Sequence, residues 1–214
     1  IQTSTLRLGN PLSMNDSAEI LWFLELVEAY AIKKGKYQKT LEKWEQIEKI
    51  IKSIIQEIDF PYILCLSKEN DVLSQWRSYA DDGQGVAIGI NVDQLLAYSN
   101  LLGKDIIYDL EKQMELLDGK EIDSCLDNLE KEIDRGKENL IYNKVRILVS
   151  YLLEDSMICK NPAFREEREY RISCPFNDTD LDKISEVKFR TNNKHILPYR
   201  EICFKNCNHK IIEN

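Results

Sequence analysis

From residue 18 onward the apolar positions fall three and four apart, as Ile20, Leu21, Phe23, Leu24 and Val27, and predict a helix over about residues 18–30. The loop before it, 10–16, ends on Asn15 and Asp16, either of which can cap the helix. A second helical period covers about 37–57, with Leu41, Trp44, Ile47, Ile51, Ile54 and Ile55 on one face and Glu and Lys on a solvated one. Pro61 ends that texture, and 62–67 reads as a short buried strand. Residues 71–80 predict a short helix stopped by Asp81-Asp82-Gly83-Gln84-Gly85. A small-residue strand follows at 85–90, then a helix at 91–99.

The stretch 109–156 is helical, with breaks near Asp118-Gly119 and at Gly136, and Tyr142, Val145, Leu148, Val149 and Leu152 form its core face. Past Asn161-Pro162 the pattern changes to strands at about 167–175 and across 186–204. Helices and strands are segregated rather than alternating. That favours an α+β fold, with a mixed or antiparallel sheet elaborated by helical segments 18–58 and 109–156 in one domain spanning 1–214.

Composition narrows the picture little. The net charge of −8 argues against general nucleic-acid binding. No apolar run approaches the roughly 20 residues of a membrane helix and no signal-peptide pattern is present, so a cytoplasmic protein is expected. Ile1 in place of Met predicts that further residues precede this chain. The cysteines at 65, 125, 159, 174, 203 and 207 sit mostly among apolar neighbours, which predicts buried, reduced thiols, with Cys203 pointing to the core. Cys203-x-x-x-Cys207-x-His209 has only a fragment of a zinc pattern, so no metal site is expected there.

Two segments carry candidate chemistry. If 167–172 is extended, alternation places Glu167, Glu169 and Arg171 on one face, a compact cluster in which the arginine can orient one carboxylate. The alternative is a surface ladder of ion pairs. In the second segment a helix sets Trp76 and Tyr79 three residues apart, more often core than ligand platform, and leaves Arg77 unexplained by packing. Its glycines do not form a phosphate-binding fingerprint. Neither His195 nor His209 has a nucleophile elbow nearby.

Four stretches together resemble the bacterial domain of unknown function 2971 family. They are Leu6-x-Leu8-x-x-Pro11-x-x-x-Asn15-Asp16-x-x-Glu19, Leu73-Ser-Gln-Trp-Arg-Ser-Tyr-Ala80, Lys160-x-x-x-Phe164-x-x-Glu167-x-Glu169-x-Arg171, and Ile196-x-Pro198-Tyr199-x-Glu201. Ser17 departs from the family's usual proline, and a tyrosine-rich strand usual upstream is missing. The resemblance implies a polar site that includes Asn15 and Asp16, and the family name assigns no reaction.

A strand opening with Glu-x-Glu is also similar to the ADP-ribosyltransferase arrangement. That likeness implies NAD as a substrate rather than a tightly bound cofactor, Glu169 as the catalytic carboxylate and Glu167 as its companion. Arg77 or Arg171 would hold the pyrophosphate, and Trp76 or Tyr79 would stack a ring. A role in phage defence or as a toxin would follow. Two other readings stand beside it. One is a non-catalytic sensor or binding module for a small-molecule or nucleotide ligand, with no partner protein named. The other is a metal-dependent nuclease gathering Asp16, Glu19, Glu167 and Glu169 on magnesium.

Overall fold

A computed structural model describes residues 4–13, 18–81, 83–99, 101–118, 121–175, 184–192, 195–205 and 211–212. The chain begins with β1 (Thr5–Gly9) and enters α1 (Ala18–Lys34), α2 (Gln38–Glu42) and α3 (Trp44–Glu57). Gly35 stops α1 at a φ of +65°, where a side chain would be strained. Next come β2 (Ile63–Ser67), α4 (Leu73–Tyr79), α5 (Val92–Ser99) and β3 (Leu102–Asp105). The second helical run holds α6 (Leu110–Asp118), α7 (Ile122–Asp134) and α8 (Glu138–Ser156). A short 3-10 helix (Pro162–Glu167) then leads into β4 (Glu169–Ser173), β5 (Lys188–Asn192) and β6 (His195–Cys203). The fold is α+β, as the segregated pattern predicts.

The chain divides into two compact units. Residues 18–59 and 107–162, the two helical passes, form one of them. Its core is built from Phe23, Val27, Ile47, Ile51, Leu126 and Leu148, all nearly or fully buried. Trp44, Ile47, Ile51, Ile54 and Ile55 point inward from α3, and Val145, Leu148, Val149 and Leu152 from α8, as their spacing requires. Two buried tyrosines anchor α6 and α7: Tyr37 donates to Asp123 at 2.5 Å and Tyr30 to Asp118 at 3.2 Å.

Residues 1–17, 60–106 and 163–214 form the other unit around a six-stranded sheet of order β3-β4-β2-β1-β6-β5. Every neighbouring pair is antiparallel. One face packs Leu8, Ile172 and Ile202 against Leu95 of α5, together with Tyr62, Leu101 and Cys174.

Three expectations need correction. Residues 85–90 form no strand: 86–89 carry no regular structure, and only Ile90 makes a bridge, to Ile212. The outer edge of β4 that such a strand could join is occupied by β3, which the hydrophobic pattern did not predict, nor did it predict β1. The strand expected from 167 starts at Glu169, because Arg168 adopts a φ of +44° and turns the chain between the 3-10 helix and β4. Cys203 is exposed, since alternation sends Ile202 inward instead. Cys125, Cys159 and Cys174 are buried. Cys207 and His209 lie outside the described residues.

Candidate binding cavity

Strand alternation in β4 decides what faces what. Glu169 and Arg171 project to one face of the sheet, Tyr170 and Ile172 to the other. On the first face Arg171 stands opposite Cys65 of β2 and Lys104 of β3, and Glu169 opposite Ser67. The Arg171 Nε donates to Glu169 Oε1 at 2.8 Å, and both side chains are about 5% exposed. This pair is buried rather than part of a surface ladder.

Glu167 does not join that face through the strand. It ends the 3-10 helix, half-buried, and its carbonyl accepts from the Ser67 hydroxyl at 2.8 Å. Asn15, Asp16 and the Glu19 side chain lie outside the described residues. Among the described residues no group of three or more His, Cys, Asp or Glu is placed to hold a metal ion.

On the opposite face, at the end of β2 and β4, opens a cavity of about 620 Å³. Its floor is Leu66 and Tyr170, one wall is Trp76 and Tyr79 of α4, and the other is the strap 86–90 with the start of α5. Helix α4 is short, and the turn after it is tight: a Cβ on Gly85 would stand 2.9 Å from the Ala80 Cβ. That turn brings the strap back past α4. The Trp76 indole is fixed by its Nε1 donating to Asp71 at 2.8 Å. Tyr170 is fixed by Gly103 on β3, where a Cβ would fall 2.3 Å from its hydroxyl.

The charges around the cavity are mostly neutralised. Lys68 pairs with Asp105 and stands 5.8 Å from the Tyr170 ring centre. Glu69 pairs with Arg168. Asp93, in the first turn of α5, lines the cavity and has no cationic partner among the described residues.

The structure therefore divides the residues that the sequence suggested as one site. Trp76 and Tyr79 share the cavity, Arg77 is exposed on α4 outside its lining, and Glu169 and Arg171 point away from it. Tyr170, Lys68, Asp93 and the strap were not singled out for this role. Tyr170 reads as an ordinary inward strand residue and Asp93 as an ordinary helix-start acid, so neither carries a signal without the fold.

An antiparallel α+β domain with an open, ring-lined cavity beside its sheet is the class this geometry defines. Residues 75–172 match the family described as Protein of unknown function (DUF2971). The matched stretch runs from within α4 through the strap, α5, β3, the helices α6 to α8 and the 3-10 helix to most of β4. No curated protein and no solved structure matches the chain. No helix among the described residues is long and apolar enough to cross a membrane.

Proposed function

We propose that this chain is a binding domain, and that its cavity receives a cationic, partly apolar group such as a guanidinium or alkylammonium end. One observation carries the reading: three rings, Trp76, Tyr79 and Tyr170, line the same space as Asp93, a carboxylate without a cationic partner among the described residues. A ring face attracts a cation by about 0.5–2 kcal/mol, more as water is excluded, and a nearby carboxylate adds to it. A nucleotide fits the lining less well, because Lys68 is the one cationic side chain among the lining residues, against the carboxylates of Glu69 and Asp93.

The test is calorimetric titration of the full chain with agmatine, and with NAD in parallel. Agmatine should bind saturably. Trp76→Ala should weaken it by roughly 2–30-fold, the loss of one cation–π contact, and Asp93→Asn should weaken it as well. NAD should not compete. Absence of agmatine binding, or tighter binding of NAD, refutes the reading.

ADP-ribosyl transfer from NAD is the second reading, favoured by one observation: Arg171 holds the Glu169 carboxylate in a fixed orientation. Nicotinamide release by the wild type, lost in Glu169→Gln at a temperature where circular dichroism shows the variant still folded, would move the chemistry to that face of β4. A role as a toxin or in phage defence rests on this second reading alone.

A further inference from the structure

The strap is a stretch of apolar chain left in water. Val86 is 81% exposed and Ile88 49%, and they share the cavity lining with Tyr79 at 65%. The sequence here, Val86-Ala87-Ile88-Gly89-Ile90, has the composition of a strand, and its last residue already makes an antiparallel bridge to Ile212. Yet among the described residues no backbone hydrogen bond engages Val86, Ala87 or Ile88. Among the described residues, pairing competence and unpaired backbone therefore coincide at the wall of the cavity.

A small cation inside the cavity would leave the main-chain groups of Val86, Ala87 and Ile88 unpaired, because it offers them no strand. A contiguous exposed apolar patch beside a pocket marks a surface with a larger partner. We infer that the partner is an extended peptide segment that pairs its backbone with Val86–Ile88 and places an arginine or lysine side chain in the ring-lined cavity. In this mode of recognition main-chain bonds supply affinity and the pocket supplies selectivity for one side chain. Alternation along such a peptide puts the cationic side chain on the cavity face with Val86 and Ile88, and β-branched residues beside it favour the extended pairing. The assignment rests on the cavity reading above and adds the identity of what carries the cation.

The experiment compares three probes on the full chain: agmatine, a capped Thr-Val-Arg-Val-Thr peptide, and the same peptide with alternate backbone nitrogens methylated. The intact peptide should bind at least about tenfold more tightly than agmatine, as added main-chain bonds imply. Backbone methylation should remove that gain, and hydrogen exchange should show new protection of the amides at 86–88 with the intact peptide only. Equal affinity for agmatine and peptide, with no protection at the strap, overturns the peptide assignment while leaving the cavity reading in place. Failure of all three probes to bind overturns both. Concentration-dependent dimerisation that protects the same amides without peptide would give the strap to a second copy of the chain, and also overturns the assignment.

Discussion

At Glu169 and Arg171, two residues of one strand are held out of water as a charged pair. Each charge lost hydration on folding, and the close Nε–Oε1 contact is part of what compensates that loss. Taken from sequence as a partly open cluster, Glu169 would be dispensable for stability, since exposed ion pairs contribute only about 0–1 kcal/mol. Burial reverses that expectation. Glu169→Gln should lower unfolding stability by about 3–5 kcal/mol, because the arginine keeps its charge and loses the carboxylate. Replacing both, with Glu169→Leu and Arg171→Met, should recover most of the loss. Urea denaturation of the three proteins decides it, and a single variant as stable as wild type would contradict the buried-pair account.

The tyrosine network between α1, α2, α6 and α7 sets a second expectation at this scale. Burial, then the bond to Asp123, pushes the Tyr37 hydroxyl well above its ordinary range, and burial raises Tyr30 too. The same bond to Tyr37 is the main cause holding Asp123 below the usual carboxylate range. A raised tyrosine contributes stability that is present below its unfolded pKa of about 10 and is lost as pH climbs beyond it. A lowered aspartate contributes stability present above about 3.9 and lost as pH falls through its folded value. Stability should therefore decline on both the alkaline and the acid side. Tyr37→Phe should flatten both limbs, which thermal melts across that range would show.

At the scale of elements, the helices were readable because one helix carries its own evidence. The breaks near Asp118 and at Gly136 appear where the sequence put them, since a broken apolar period and a glycine at a φ of +64° are local facts. The strap was misread because pairing is not local: its residues favour a strand, but among the described residues only Ile90 finds a partner, Ile212. The same reasoning explains the hidden cavity. One wall was visible as Trp76 and Tyr79, but part of the floor is Tyr170, brought there from far along the sequence by β2–β4 pairing. Gly103 is what lets that ring lie flat against β3. Gly103→Ala should push Tyr170 and Leu96 aside, cost about 1–3 kcal/mol by overpacking, and weaken agmatine binding. Unchanged binding in that variant would remove Tyr170 from the cavity's function.

At the scale of the sheet-bearing unit, the topology contains a seam. Strand β1 pairs with β6 along its whole length, from Thr5 opposite Cys203 to Gly9 opposite Tyr199, but meets β2 through Gly9 opposite Ile63. The sheet is thus two three-stranded halves, β3-β4-β2 and β1-β6-β5, with little main-chain pairing between them. What joins them is side-chain packing: Leu8 and Ile202 from one half share a buried cluster with Ile172 of the other, with Tyr62 beside β2 and with Leu95 of α5, and Arg200 lies 5.3 Å from the Tyr62 ring centre. None of this could be read from the sequence, because register between strands so far apart depends on the whole fold. Such an arrangement opens in parts, since a half held mainly by side-chain packing can separate before hydrogen-bonded ladders break. Native-state hydrogen exchange should show the β1 and β6 amides exchanging together through a sub-global opening, at a lower free energy than those shared by β2 and β4. Leu8→Ala, which trims a fully buried side chain at the seam, should cost about 2–5 kcal/mol. It should also lower protection in β1, β6 and β5 more than in β2 and β4. If all six strands exchange at one common free energy, and the variant lowers them equally, the seam is not a mechanical boundary and the sheet unfolds as a single body.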